Sequence, residues 1–236
     1  MQTLVSLLVA LSPAACARDE AEREYYRALR GAEEGLSREE QIAHLDRAIA
    51  LAPGRLSYRV SRAIAWIDVR QFERAVRDLD FTLQRREHPY EYFLRGLALC
   101  QQGRFARALP DFDRAVELQP ENSQFYRGRG LALLELGRSR EALEDAEILV
   151  RLAPQAATSF YVRGRTLHAV GRLQEALRDL DRAVKMRPEL VYPLRARAQT
   201  REALRDHEGA AADREIARRQ AERERGIWAY LDPFRY

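Results

Sequence analysis

The chain has 236 residues, of which 46% are hydrophobic and 32% charged, enough apolar content to bury a core and too much for a disordered chain. Forty basic residues stand against 36 acidic ones for a formal charge of +4, with the two signs interleaved along the chain, which argues against a segregated nucleic-acid-binding face. Arg, Glu, Ala and Leu recur without long Pro/Gly/Ser-rich stretches, a helix-forming composition that leaves little room for strands. Lys185 is the only lysine, so almost all positive charge sits on guanidinium groups suited to fixed pairing with carboxylates.

Residues 3–11 are a nearly continuous apolar run too short to span a bilayer, followed by Ser12, Pro13, Ala14, Ala15, Cys16 and Ala17. That order reads as an export signal over residues 1–17. Ala15 and Ala17 fit cleavage after Ala17, whereas Ala14, Ala15 and Cys16 resemble the end of a bacterial lipoprotein box with Cys16 as the lipidated residue. No Lys or Arg precedes the apolar run, and Pro13 stands where such a box has a Leu-like residue. The competing reading makes residues 1–17 the first turns of an amphipathic helix in a cytoplasmic protein. The absence of a charged face and the change of composition at Arg18 favour export, to a bacterial periplasm or to a membrane through the lipid.

Beyond Arg18 the chain reads as successive pairs of helices. Residues 22–55 carry Tyr25, Leu45, Ala48 and Pro53, with Ser37 and Glu40 placed as a capping box for the second helix. Residues 56–88 carry Ala63, Trp66, Phe72, Ala75 and Leu79, with Pro89 expected to do the helix-stopping work of a missing in-register proline. Three further units, 89–122, 123–156 and 157–190, share a period of 34: Gly96, Gly130 and Gly164; Gly103, Gly137 and Gly171; Ala108, Ala142 and Ala176; Pro120, Pro154 and Pro188. Each unit is an aromatic-bearing helix, a glycine turn, a second Ala- and acid-rich helix and a terminating proline. Glycines such as Gly96 and Gly130 are expected to let helices approach closely, with Tyr92, Leu99 and Phe112 filling the space between hairpins. Residues 191–221 keep the helical pattern but place Arg201, Asp206, Arg214, Arg218 and Arg219 at earlier apolar positions, so 191–225 is expected to be a degenerate repeat ending in a polar capping helix. Residues 226–236 form an aromatic tail with Trp228, Tyr230, Phe234 and Tyr236.

This pattern resembles the tetratricopeptide repeat over nearly the whole chain after residue 17. Tyr92, Gly96, Leu99, Gly103, Phe105, Ala108, Phe112, Ala115 and Pro120 fall at the family's positions, as do Tyr126, Gly130, Leu133, Gly137, Ala142 and Pro154, and Phe160, Gly164, Leu167, Gly171, Ala176, Leu180, Ala183 and Pro188. Gln41 departs from it, standing at a helix-contact alanine position. The resemblance implies an all-α, right-handed solenoid of helix-turn-helix repeats that binds a protein or peptide along a concave face lined by the first helix of each unit. On that basis the groove residues are Tyr26 and Arg30; Val60, Ile64 and Ile67; Tyr90, Phe93 and Leu97; Arg127 and Leu131; Tyr161, Arg165 and His168; and Tyr192 and Arg195. Such a groove is apolar centrally and arginine-bearing toward its C-terminal end, suiting a partner with apolar anchors and an acidic or C-terminal carboxylate. The carboxylate clamp of chaperone-binding members, built on Lys and Asn, is not matched.

No catalytic, cofactor or metal motif emerges. His44, His88, His168 and His207 are far apart, Cys100 reads as a buried structural residue, and each glycine is accounted for by a turn or a helix contact. Arg62, Arg95, Arg129 and Arg163 recur on first helices and Asp78, Asp111, Asp145 and Asp179 on second ones. These are expected to pair within or between hairpins, for roughly 0–1 kcal/mol each where exposed. The expected role is a non-catalytic interaction scaffold without nucleic-acid binding, the rival being a structural protein that self-associates.

Overall fold

The computed structural model of the protein describes residues 13–31 and 33–224, with side chains from residue 17 to residue 222 except residue 32. The aromatic tail lies outside the described residues, as does the apolar run of the expected leader; only the backbone of Cys16 is included, inside the first helix. The described residues form twelve helices and no strand: α1 (Pro13–Leu29), α2 (Arg38–Leu51), α3 (Leu56–Asp68), α4 (Phe72–Leu83), α5 (Pro89–Cys100), α6 (Phe105–Leu118), α7 (Ser123–Glu135), α8 (Ser139–Leu152), α9 (Ala157–Ala169), α10 (Leu173–Met186), α11 (Val191–Ala203) and α12 (His207–Glu224). Each odd-numbered helix packs along the helix that follows it. The chain divides between residues 87 and 88 into two compact units. In the first, α2 also packs on α3; in the second, α6 packs on α7, α8 on α9 and α10 on α11, so hairpin stacks on hairpin. This is the all-α arrangement of helix-turn-helix repeats that the periodicity implies. None of the described helices is long and apolar enough to cross a membrane.

The turns follow from local chemistry. Gly103, Gly137 and Gly171 end first helices at φ of 70°, 74° and 83°, a left-handed conformation open to glycine without a Cβ penalty. The amide after each of them closes back onto the helix, from Arg104 to Leu99 O, Arg138 to Leu133 O and Arg172 to Leu167 O, satisfying carbonyls that a helix end leaves orphaned. Arg70 and Arg205 occupy the same turn position at φ of 60° and 65°, so this backbone shape outlives the glycine. The second helices α6, α8 and α10 end two residues before a proline, and the intervening caps Gln119, Ala153 and Arg187 adopt φ near the extended range at −148°, −134° and −141°, as the following proline ring demands. Pro89 acts differently from expectation, because it is the first residue of α5 and starts a helix, where its missing amide costs nothing. Ser37 and Glu40 form the capping box of α2, with Ser37 N donating to Glu40 Oε2 at 2.8 Å and Glu40 N to Ser37 Oγ at 3.2 Å.

In the first unit, Ala21, Ala48, Ile49 and Tyr58 pack with Tyr25, and Ala28, Ile42, Leu45 and Ala65 with Trp66. Gln41 is buried and donates to Leu36 O at 3.0 Å, beside Gly31, whose lack of a side chain admits it. The second unit's core is built around Phe112 of α6, whose ring centroid lies 6.0 Å from that of Phe93; Phe93 in turn lies 5.2 Å from Phe125. Gly96 of α5 and Gly128 of α7 close on Phe112: a Cβ on either would stand 2.8 Å from Cε1. Gly130 is roomier than the period suggests, since a Cβ there meets nothing nearer than Asp145 Cβ at 3.5 Å. Gly128, which belongs to no 34-residue glycine series, is the tighter contact.

A ladder of ion pairs runs through both units. Arg62, Arg95, Arg129, Arg163 and Arg197 each donate Nε and one terminal nitrogen to both oxygens of the aspartate sixteen residues on, Asp78, Asp111, Asp145, Asp179 and Asp213, at 2.6–2.9 Å. The other terminal nitrogen of Arg62, Arg129 and Arg197 reaches back to Asp46, Asp113 and Asp181 on the preceding hairpin, at 2.6, 3.0 and 2.9 Å. All five forward aspartates are buried, so the small value of an exposed pair does not apply to them: a lone carboxylate left there would be desolvated and uncompensated. Burial pushes the Asp145 carboxyl up, against the pull of Arg129.

The packing yields an asymmetric expectation for two neighbouring glycines. Gly128→Ala drives a methyl against a fully buried ring and is expected to cost about 1–3 kcal/mol, whereas Gly130→Ala is expected to be neutral or to gain about 0.5–1 kcal/mol by removing a glycine from a helix interior. Urea denaturation of the two variants measures both.

Candidate peptide-binding surface

In the second unit the first helices also touch one another, α5 with α7, α7 with α9 and α9 with α11, while the second helices make no comparable approach. Layers whose members lie closer together form the inner side of a curved stack, so the surface at issue is the first-helix face.

The groove residues divide by exposure. Ile67, Phe93, Leu97, Arg127, Leu131 and Tyr161 are buried and pack between helices, which narrows the surface open to a ligand. In the first unit, Val60 and Ile64 are half-buried on α3, and Tyr26 and Arg30 are exposed. Those last two border an open depression of about 970 Å³ that, among the described residues, is lined by α1 and the adjoining Arg30 alone, mostly by charged side chains. In the second unit, Tyr90 is half-buried with its ring 6.0 Å from that of Phe93. Arg165, His168 and Tyr192 are half-buried and Arg195 is exposed.

The last group gathers on α9 and α11. Tyr161 and Tyr192 meet edge to face at 4.5 Å, and burial followed by the neighbouring Tyr161 pushes the Tyr192 phenol up to about 12, so it stays neutral. Arg165 donates to Tyr161 Oη at 3.3 Å and to Glu135 Oε1 at 3.1 Å; burial opposes its charge, but those two neighbours outweigh it and raise its affinity for the proton. Arg127, below them on α7, donates Nε to Gln124 Oε1 at 2.7 Å. His168 Nδ1 lies 3.1 Å from Thr200 Oγ1, whose own proton goes to Ala196 O, which leaves Nδ1 as the donor. Burial, and after it Arg165, holds the imidazole below its ordinary value.

Sequence reasoning missed Glu135, Gln124 and Thr200, and also the continuation of the ladder to Arg197 and Asp213. The last was legible as a further step of the same period, and Thr200 repeats Thr166 at the same spacing; Glu135 recurs nowhere in the repeat and carried no signal.

A stack of helical hairpins with one continuous first-helix face in its second unit places the protein among the helical-repeat, or α-solenoid, class. Tetratricopeptide repeat models match residues 60–123, 93–157 and 127–191, together more than half of the 236 residues, and the chain belongs to that family. Among solved structures it is similar to YrrB, described as a tetratricopeptide repeat protein with an unusual peptide-binding site, at 22% identity and a TM-score of 0.63 over 79% of this chain and 98% of that one. A tetratricopeptide repeat protein from Parabacteroides merdae matches at 17% identity and a TM-score of 0.70 over 85% of this chain and 78% of that one. MamA from Desulfovibrio magneticus matches at 20% identity and a TM-score of 0.51 over 88% and 97%. At these identities the likeness concerns the fold. No curated protein matches the chain.

The His168 environment fixes the sign of a pH effect. Its folded pKa lies below the unfolded value of 6.5, so the unfolded chain binds more protons near that pH, and stability falls as pH drops from 7 toward 5.5. Melting temperature followed over that range is expected to decline, and His168→Gln to flatten the decline.

Proposed function

We propose that the protein is a non-catalytic interaction module whose second unit takes a peptide or partner helix on its first-helix face, between α7, α9 and α11. The observation that carries this reading is Arg165, half-buried against Tyr161 of the Tyr161–Tyr192 edge, with Arg195 exposed one turn along α11 from Tyr192: two guanidinium groups near aromatic rings already ordered by packing. Guanidinium forks recognise carboxylates, and rigid aromatics add contact area at low entropic cost. The partner is therefore a protein segment with apolar anchors and an acidic or C-terminal carboxylate. Family membership supports a protein partner, and the peptide-binding site ascribed to YrrB supports a peptide as one form of it. The extensive internal pairing of arginine argues against a phosphate backbone as ligand, because most of its guanidinium groups are occupied.

For location, the order of residues 3–17 supports export, with either cleavage after Ala17 or a lipid on Cys16 as the sole attachment to a membrane. In that setting the protein positions or assembles other envelope proteins.

The test is affinity capture from a native extract with the full chain and with an Arg165→Ala, Arg195→Ala double variant. Both substitutions lie at or near the surface and spare the buried Tyr161. A protein retained by the unaltered chain and reduced at least about tenfold on the variant supports the surface as its site. Equal retention on both places the function elsewhere on the molecule, and retention of the chain's own copies alone favours self-association.

A further inference from the structure

Two kinds of arginine can be told apart by geometry. Arg62, Arg95, Arg129, Arg163 and Arg197 recur with the repeat, and each grips both oxygens of a buried aspartate at 2.6–2.9 Å. Arg165 does neither. The equivalent positions in the other units of the second half are Leu97, Leu131 and Gln199, so the packing of the repeat does not call for a cation there. Its acidic partner is equally out of pattern: Glu135 is the last residue of α7, and the equivalent positions are Gln101, Ala169 and Ala203.

The contact between them is weak by the standard of the ladder. A single terminal nitrogen of Arg165 meets one oxygen of Glu135 at 3.1 Å, and the other terminal nitrogen meets only the neutral Tyr161 hydroxyl at 3.3 Å. The Glu135 side chain is 38% exposed, so it can leave for water at little cost, unlike Asp145 or Asp213. A fork that presents two parallel donors is better satisfied by a carboxylate approaching head-on and accepting both.

From this we infer that Glu135 is an internal stand-in for a ligand's carboxylate: it occupies Arg165 in the free protein, a carboxylate side chain of the bound peptide displaces it, and its presence sets the affinity and the acid selectivity of the surface. The inference rests on the reading of the first-helix face as a peptide site and adds the residue that tunes it. Occupancy by Glu135 has two effects. It keeps the half-buried guanidinium paired when no ligand is present, and it makes every acidic ligand compete with a group tethered within reach of the same nitrogen. A ligand without a carboxylate gains nothing from the displacement and meets no such competition.

The experiment measures binding of a fluorescent capped peptide, acetyl-Leu-Phe-Glu-Leu-Phe-amide, and of its counterpart with Gln in place of Glu, to the full chain and to Glu135→Gln, Arg165→Ala and Arg195→Ala. For Glu135→Gln the acidic peptide is expected to bind about two- to fivefold more tightly, the span of an exposed ion pair, with the neutral peptide unchanged and the melting temperature unaltered. An unchanged or weakened affinity of this variant for the acidic peptide, equal gains for both peptides, or no measurable binding even by this variant overturns the inference. If Arg165→Ala and Arg195→Ala weaken binding while Glu135→Gln leaves it unchanged, the stand-in role fails and the peptide site survives; if none of the three alters binding, the site fails with it.

Discussion

The fold depends on one repeated constraint, the crossing of a first-helix guanidinium to a buried second-helix carboxylate sixteen residues on. Because the fork is planar and takes both oxygens, it fixes the rotation as well as the distance between the two helices. Where the same guanidinium also reaches back to Asp46, Asp113 or Asp181, one side chain sets the register within a hairpin and between consecutive hairpins. Apolar packing around Phe112 and the glycines that admit it supplies the cohesion; the ladder supplies the alignment. A repeat array has only neighbour contacts to hold it together, so a device that acts at every step is well placed to keep its faces in order.

That order lets the proposed binding surface stand out by subtraction. Side chains that recur every 34 residues are explained by the scaffold, which needs them at each step. Tyr161, Arg165, Glu135, His168, Tyr192 and Arg195 gather where the period is broken, on the face where the first helices run side by side. Arg195 shares its repeat position with Arg127, yet the first is exposed and the second buried against Gln124: the same residue type is buried within the stack and exposed on the last of the described hairpins.

Much of the fold was legible in the residues because its determinants are local and periodic. Gly103, Gly137 and Gly171 mark left-handed turns, Pro120, Pro154 and Pro188 mark extended residues before them, and Ser37 with Glu40 marks a cap, each through chemistry within one turn of helix. Pro89 misled because a proline can end one helix or open the next, and only the length of the intervening loop decides. The surface was less legible for a related reason. First-helix position alone does not say how deep a side chain sits, so Phe93, Leu97 and Leu131 were grouped with Arg165 although packing of neighbouring helices buries them. Glu135 meets Arg165 across thirty residues through the stacking of α7 on α9, a relation that no spacing rule announces.

The division between the scaffold arginines and Arg165, the proposed binding arginine, is tested most directly by thermal unfolding of Arg129→Met and Arg165→Met side by side. Arg129→Met is expected to cost about 3 kcal/mol, because Asp145 is left buried without its partner, and Arg165→Met less than about 1 kcal/mol, because Glu135 turns to water. A loss from Arg165→Met as large as that from Arg129→Met would contradict the division, making Arg165 one more rung of the scaffold.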